Sequence, residues 1–235
     1  NANKNRREEY LNLLKTGNAD GAIIMDVSYD DTTISKYAKS CKIVQCCEYC
    51  KDENISRVSI DDFKAAKQAV NYLISLGHKK IALASVENNF ISALERKAGY
   101  ITAMKNAGLI VYEDYIIKAD HNYNLGNNLK NITSLLKGEN RPTAIFCVSD
   151  IMALGIIRGA NEIGIRVPKD LSIIGFDNVP YANLFNPRLT TINQPGYDLG
   201  KTACNLLISQ IKGEMPSNIF LDNKLILRES TRNIL

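Results

Sequence analysis

The chain has 235 residues, of which 45% are hydrophobic and 23% are charged, and its formal net charge is +4. This length is typical of two lobes of roughly 100 to 150 residues each, and the composition excludes an intrinsically disordered chain. The charge is mild, which argues against a domain that binds nucleic acid by itself, and no apolar run reaches the ~18 residues of a membrane span.

Helices and strands alternate from the start of the chain. An opening helix places Tyr10, Leu11 and Leu14 on one side and ends before Gly17, a residue that favours helix termination. Short apolar runs bounded by polar residues predict strands next. These strands cover residues 20–25, 42–46 and 57–60.

A second helix begins at Asp61 or Asp62, because apolar residues then recur at helical spacing until Gly77. His78 follows directly, and we interpret it as structural because the chain has only two histidines and no partner for catalysis is implied there. Strands at 81–85 and 115–118 enclose a helix that carries Arg96 within the segment LERKAGY.

Cysteine usage favours a reducing compartment. The segment QCCEYC lacks the paired C-x-x-C elements of a zinc site and has no histidine nearby. We therefore expect six thiols, a cytoplasmic location, and no metal or cofactor. Phosphate-binding glycine loops, the G-x-S-x-G elbow and the H-E-x-x-H zinc motif are also missing, so we do not expect an enzyme.

The stretch 141–200 contains the strongest pattern. A buried strand at 144–148 stops at Ser149-Asp150, a helix runs to residue 163, and a second strand at 171–176 stops at Asp177-Asn178. Two apolar strands joined by a helix predict a parallel βαβ unit, whose strands end at one edge of the sheet. Ligands of open parallel sheets bind outside that edge, so these four polar residues are candidates for a binding site.

Each candidate also has a structural interpretation. Ser149 or Asp150 could cap the following helix, since both residue types are favoured at that position, and for Asp150 we favour the capping role. Asp177 could form a turn with Asn178. The two interpretations of Asp177 stay open from the sequence.

Several ordered segments resemble one family. RPTAIFCVSDIMALG, RVPKDLSIIGFDN, PRLTTINQP and LILREST, preceded by VSIDDFKAAKQAVNYLISLGHKKIAL and ERKAGYITAMKNAGL, are similar to the effector-binding core of lactose-repressor and galactose-repressor transcription regulators. The resemblance covers nearly the whole chain. It implies a two-lobed α/β fold of the periplasmic-binding-protein type, with a parallel sheet flanked by helices in each lobe and a ligand cleft between the lobes.

The resemblance also implies a domain organisation. The amino-terminal lobe would comprise residues 1–76 and 195–223, and the carboxy-terminal lobe residues 77–194 and 224–235. In this family a DNA-binding helix-turn-helix domain precedes the core, and we expect it to lie outside this chain.

Ligand contacts follow from matching positions of the family. Arg96 matches an effector-contacting arginine, and a planar guanidinium suits hydroxyl or carboxylate oxygens. His121 stands where the family usually has an aromatic residue that stacks on the ligand ring. The full set of expected ligand-binding residues is Asp177, Arg96, Ser149, His121, Phe90, Ser92 and Gln194.

The function implied is an allosteric one. A small polar effector, most often a sugar in this family, would alter operator binding by a homodimer.

RPTAIFC and DIMA are similar to purine repressors, which would imply a purine ligand. ITAMKNAGL and EDYII are similar to catabolite control proteins, which would imply a phosphocarrier protein as partner. The alternative from another class is a periplasmic-type sugar-binding protein of a transporter.

Overall fold

The computed structural model describes residues 4–119 and 129–235. Its α-helices are α1 Lys4–Lys15, α2 Thr33–Ala38, α3 Asp62–Ser75, α4 Ile91–Asn106, α5 Leu129–Lys137, α6 Asp150–Glu162, α7 Pro180–Leu184 and α8 Gly196–Ile211. Its strands are β1 Gly21–Ile24, β2 Lys42–Cys46, β3 Ser56–Ile60, β4 Ile81–Val86, β5 Ile116–Ala119, β6 Ala144–Cys147, β7 Ser172–Asp177, β8 Thr190–Asn193, β9 Asn218–Leu221 and β10 Lys224–Ile226. Every helix in these ranges is too short or too polar to cross a lipid bilayer.

The chain forms two compact units, and we describe each by itself. The first unit contains residues 1–61, 88–92 and 195–222. Its sheet has the order β1-β2-β3-β9, with all neighbours parallel. Side chains of β2 alternate between two cores: Ile43 packs with Leu11 of α1 and Ile34 of α2, whereas Val44 packs with Leu199 of α8. Helices therefore cover both faces of this parallel sheet.

The second unit contains residues 62–87, 93–194 and 223–235. Its sheet has the order β10-β8-β7-β6-β4-β5, and only β10 runs antiparallel to its neighbour. All six residues of β4 are buried, as expected for a central strand covered on both faces. The α/β class predicted from the sequence is thus confirmed.

The division between the units differs from the predicted lobe boundaries at two segments, and by the single residue Asn223 at a third place. Helix α3 belongs to the second unit, because it packs on β6, β8 and β10. Residues 88–92 belong to the first unit, where the Asn89 carbonyl accepts a hydrogen bond from the Tyr29 N–H at 2.7 Å. These contacts join segments that are distant in sequence, so local patterns could not reveal them.

Most predicted elements appear within a residue or two of their expected bounds. Gly77 and Gly164 adopt φ values of 92° and 79° after α3 and α6, a backbone conformation in which glycine meets no steric penalty. The sequence analysis missed α2, α7 and β9. These elements have six, five and four residues, which is too short for a clear periodicity.

Candidate functional site

Polar residues gather at the carboxyl edge of the sheet in the second unit. Strands β6 and β7 are parallel neighbours, and β8 lies next to β7 with Asp177 opposite Asn193. Ser149, Asp177 and Gln194 each stand at or just beyond the end of one of these strands. The prediction that the two polar stops share an edge is confirmed.

Arg96 anchors this edge from the second turn of α4 and is 5% exposed. Its Nε donates to Asp62 Oδ1 at 2.7 Å and its Nη1 donates to the Val148 carbonyl at 2.6 Å. Nη1 also lies 3.6 Å from Asp177 Oδ1, and the guanidinium carbon lies 3.6 Å from the centre of the Phe176 ring. The guanidinium is thus held in one orientation by two carboxylates, a carbonyl and an aromatic face.

Asp177 is the most exposed charged member of this cluster. Its side chain is 29% exposed, and its carboxylate accepts a hydrogen bond of 2.6 Å from the Gln194 amide. Its backbone φ of 112° is uncommon for a residue with a side chain, and such conformations are enriched at functional sites. Burial raises the pKa of Asp177, while the positive charge of Arg96 opposes this shift.

Ser149, rather than Asp150, caps α6. The Ser149 hydroxyl accepts a hydrogen bond of 3.2 Å from the Met152 N–H. The buried carboxylate of Asp150 instead accepts from the Thr191 hydroxyl at 2.6 Å and from the Val179 N–H at 2.9 Å. The favoured interpretation of Asp150 as a helix cap is therefore wrong, because its side chain reaches other elements. Burial raises the pKa of Asp150 to about 6.

Phe90 and Ser92 belong to the first unit. Ser92 is buried, its hydroxyl donates to Glu48 Oε1, and its N–H donates to Glu48 Oε2 at 3.3 Å. Phe90 is half-buried, and its N–H donates to the Asn88 side chain at 3.2 Å. His121, the seventh predicted ligand residue, lies outside the described residues.

Sequence reasoning missed two carboxylates that contact predicted site residues. Asp62 was assigned only to the start of α3, yet its side chain is 6% exposed and holds Arg96. Glu48 follows the cysteine pair and gave no signal, but it binds Ser92. Contacts between side chains at long sequence separation are invisible to periodicity, so only the tertiary structure reveals them.

His78 has the structural role predicted for it. The side chain is buried, with Nδ1 2.9 Å from the Thr143 hydroxyl and Nε2 3.0 Å from the Ser172 hydroxyl. Burial lowers its pKa. These contacts lie at the amino ends of β6 and β7, at the opposite edge from Asp177.

A cavity of about 170 Å³ in the first unit contains none of the predicted ligand residues. It lies at the amino ends of β2 and β3, next to Lys42 and Ser56. Binding sites of parallel sheets occur at the other end of the strands. We therefore do not assign the effector to this cavity.

Comparison with known proteins gives the family. A family model described as a periplasmic binding protein-like domain matches residues 70–231. The transcriptional repressor CytR of Escherichia coli K12 is 35% identical over 235 residues, covering 98% of this chain and 68% of that protein. The repressor PurR of Klebsiella pneumoniae is 35% identical over 232 residues, covering 96% of this chain and 67% of that protein. A LacI-family regulatory protein from Chloroflexus aggregans has a structure with a TM-score of 0.86 and 31% identity, covering 95% of this chain and 81% of that one.

The chain belongs to the LacI/GalR family. It is the effector-binding core of a LacI-family transcriptional repressor. Between the two classes considered from the sequence, the family membership favours the regulator over the transport protein. The relatives are repressors and not enzymes.

Proposed function

We propose that this core binds an uncharged, hydroxyl-bearing metabolite, with a sugar as the leading candidate, at the carboxyl edge formed by Arg96, Asp177, Ser149 and Gln194. The observation that carries the proposal is the partly exposed Asp177 carboxylate beside the fixed guanidinium of Arg96. A carboxylate can accept hydrogen bonds from two hydroxyls, and a guanidinium can donate to neighbouring oxygens. Phe90, Ser92 and His121 remain predicted ligand contacts.

The charges of the cluster favour a neutral ligand. Arg96 supplies one positive charge, while Asp62 and Asp177 supply two carboxylates within hydrogen-bonding or ion-pair distance of it. A ligand phosphate about 5 Å from Asp177 would meet a repulsion of about 3 kcal/mol at an effective dielectric constant of 20. The cluster therefore has no unbalanced positive charge to offer an anion.

Hydroxyl groups would also be selected over apolar substituents. Asp177 and Gln194 are already paired with each other, and a ligand that covers them must supply its own donors and acceptors. A buried polar group left without a partner costs about 1–3 kcal/mol. Analogues that lack the matching hydroxyl should therefore bind much more weakly.

The test compares each neutral compound with its own phosphate. Thermal shift assays on the full-length protein would include sugars with their sugar phosphates, and nucleosides with their nucleotides. At a hundred times the Kd a ligand stabilises the protein by about 2.7 kcal/mol, which is readily detected as a rise in Tm. Stabilisation by a phosphorylated compound alone would contradict the proposal. A response to no small molecule, with binding to a phosphocarrier protein, would replace it by the protein-partner alternative.

Two variants locate the ligand once it is found. Asp177→Asn keeps the shape of the side chain and should weaken binding by roughly 10- to 100-fold, the usual loss for a hydrogen bond to a charged group. Arg158→Ala serves as the control, because Arg158 is 80% exposed and pairs only with Glu162 in the part of the chain described here. Unchanged affinity in Asp177→Asn would remove Asp177 from the site.

The effector should act by linkage. If the ligand binds one conformation of the core better than another, it shifts their populations and thereby the affinity of the full-length protein for operator DNA in the cytoplasm. The same linkage requires operator DNA to change ligand affinity by an equal factor. Titrating the ligand with and without the operator tests this, and equal ligand affinities would contradict the allosteric mechanism.

An exposed apolar patch on the second unit supports a homodimer. Ile151, Tyr181 and Leu184 are 51%, 64% and 77% exposed. Ile151 and Tyr181 lie in the first turns of α6 and α7, and Leu184 ends α7. The starts of the two helices are joined because the Asp150 carboxylate accepts a hydrogen bond from the Val179 N–H just before α7. Several large apolar side chains exposed on neighbouring elements are typical of interaction sites. Leu184→Asp should shift the protein toward monomers in sedimentation experiments, whereas Ile110→Asp, at another exposed apolar residue, should not.

A further inference from the structure

The end of strand β2 brings two consecutive cysteine thiols to the same side of the backbone. Successive side chains of an extended strand point to opposite faces of the sheet. Cys46 and Cys47 depart from this rule, since both pack against the cluster that contains Val44 and Leu199, and their sulfur atoms are 3.8 Å apart.

A tight turn produces this arrangement. Cys47 has a φ of 68°, and the Glu48 N–H donates to the Cys46 carbonyl at 2.9 Å across it. This i to i+2 hydrogen bond at positive φ defines the rarer, strained form of the γ-turn. The turn is fixed from the next strand by the Cys47 N–H, which donates to the Val58 carbonyl at 2.9 Å, and by the Ser59 hydroxyl, which donates to the Cys47 carbonyl at 3.0 Å.

The third cysteine of the segment lies on the other side of the sheet. Cys50 is buried in the cluster with Leu11 and Ile34, and its N–H donates to the Gln45 side chain at 2.8 Å. Only Cys46 and Cys47 therefore share a site. Cys46 is buried and Cys47 is half-buried, so a reagent would reach the pair through Cys47.

We propose that Cys46 and Cys47 form a dithiol site that binds monosubstituted trivalent arsenicals and chemically similar thiophilic electrophiles. Trivalent arsenic is pyramidal with bond angles of about 100°, so two sulfur atoms bonded to it at about 2.3 Å stand about 3.5 Å apart, which is close to the 3.8 Å between the two thiols here. A metal ion usually needs further ligands, and the described residues hold no group of three potential metal ligands. A monosubstituted arsenical needs only two thiols, and this pair supplies them.

The chemistry requires no oxidant. Phenylarsine oxide reacts with two thiols to form two arsenic–sulfur bonds, and the two thiol protons leave with the oxide oxygen as water. Arsenic remains trivalent throughout. The thiolate is the reacting form, and the hydrogen bond with Cys47 lowers the pKa of Cys46.

The site is connected to a predicted effector residue within the same unit. Glu48 follows Cys47 directly, and its carboxylate holds both the hydroxyl and the N–H of Ser92. A chelate ring across Cys46 and Cys47 draws the two sulfur atoms together and so displaces the turn that positions Glu48. Occupation of the dithiol therefore loosens the contact with Ser92, an effect that does not depend on the identity of the effector.

The first experiment measures stoichiometry and position on the unaltered protein. With phenylarsine oxide as probe, we expect one arsenical per chain, the loss of two alkylatable thiols, and mass-spectrometric mapping of the protected thiols to Cys46 and Cys47. A small dithiol should reverse the adduct far better than a monothiol. Protection of other cysteines, or binding without a fixed stoichiometry, would overturn the proposal, and this measurement needs no variant.

Variants then separate chelation from single-thiol attachment. Cys47→Ser should weaken arsenical binding by about 100-fold or more, because the second bond of a chelate forms at high effective concentration. Cys204→Ser, which removes an exposed thiol, should bind like the unaltered protein. Equal binding by Cys47→Ser, in a variant that melts at the temperature of the unaltered protein, would refute the dithiol site.

Hydrogen exchange tests the connection to Ser92. In the unaltered protein the arsenical should increase exchange of the amides of residues 88–92, and in Cys47→Ser it should not. The same exchange rates with and without bound arsenical would show that the dithiol does not communicate with Ser92.

Discussion

Each unit contains a polar cluster, and the two clusters are built differently. We call the cluster in the second unit the charged corner and the one in the first unit the thiol corner. In the second unit, Arg96, Asp62 and Asp177 are charged groups that come from three separate elements and are fixed by hydrogen bonds of 2.6 to 2.7 Å and a stacked ring. In the first unit, Cys46 and Cys47 are thiols adjacent in sequence, and a single carboxylate, Glu48, connects their turn to Ser92. The first arrangement depends on the whole fold, and the second on one local backbone conformation.

This contrast predicts that stability is far more sensitive at the charged corner. Arg96→Ala removes the guanidinium that neutralises buried Asp62 and should lower the free energy of unfolding by about 3–5 kcal/mol, the usual effect of breaking a buried ion pair. Denaturant unfolding measures this loss. Arg158→Ala, at an exposed pair, should cost less than about 1 kcal/mol. Equal losses in the two variants would contradict the contrast.

The tight packing behind the charged corner gives the next largest effect. A Cβ added at Gly175 would overlap Asp150 Oδ1 and would lie 2.8 Å from the Leu189 side chain. Because two hydrogen bonds already fix Asp150, Gly175→Ala should destabilise the protein by about 2–3 kcal/mol. Gly196→Ala is the matched control, since a Cβ there meets no atom within 4 Å. A neutral Gly175→Ala would show that Asp150 can move.

The pH dependence of the free energy of unfolding tests the burial of the Asp150 carboxyl group. The folded-state pKa of Asp150 is raised to about 6 from an ordinary value of 3.8, so its contribution is fully present below 3.8 and is lost as pH rises through 6. Between pH 5 and 7.5 this loss amounts to about 1 kcal/mol. In Asp150→Asn, the difference in the free energy of unfolding between pH 5 and pH 7.5 should lack this contribution of about 1 kcal/mol. The comparison does not depend on the absolute stability of the variant.

His78 contributes with the opposite sign and serves as the internal reference. Burial lowers its pKa, so its contribution is present above the unfolded value of 6.5 and is lost as pH falls below that value. His78 makes the same contribution to the pH dependence of stability in the unaltered protein and in Asp150→Asn, so this contribution cancels when the two proteins are compared. Identical pH profiles for the two proteins would exclude a raised pKa for Asp150.

The smallest effect belongs to the turn in the first unit. Cys47 has a side chain at a φ of 68°, a conformation that costs roughly 1–2 kcal/mol relative to ordinary backbone and that glycine adopts freely. Cys47→Gly should therefore raise the free energy of unfolding by up to about 1 kcal/mol, while Cys47→Ser leaves it nearly unchanged. Destabilisation by Cys47→Gly would mean that packing of the thiol outweighs backbone strain.

The last prediction concerns the preference of the proposed effector site for a neutral ligand over the phosphate of the same ligand. Asp62→Asn removes one carboxylate but keeps an acceptor for Arg96, so the cluster becomes electrically balanced. The preference for a neutral ligand over its phosphate should then fall by about tenfold, on the order of 1.4 kcal/mol. Affinity measurements on one matched pair of compounds suffice. An unchanged preference would show that Asp62 does not set the charge selectivity.

The sequence alone predicted the α/β class, the parallel βαβ unit and the shared edge of Ser149 and Asp177. These features follow from local patterns, because hydrophobic periodicity and polar stops are determined by neighbouring residues. The role of Asp150 was misjudged for a related reason. An Asp at a helix start looks like a cap, and only the fold shows that Ser149 caps α6 while Asp150 reaches Thr191.

What the sequence by itself determined was therefore the order of elements, the family resemblance and the edge at which binding residues collect. The tertiary structure decided which charges meet there, since Asp62 and Arg96 are 34 residues apart and Arg96 and Asp177 belong to different elements. It also decided that Cys46 and Cys47 face the same side, which an alternating strand would forbid. Both outcomes depend on backbone conformation and long-range packing, which neighbouring residues do not encode.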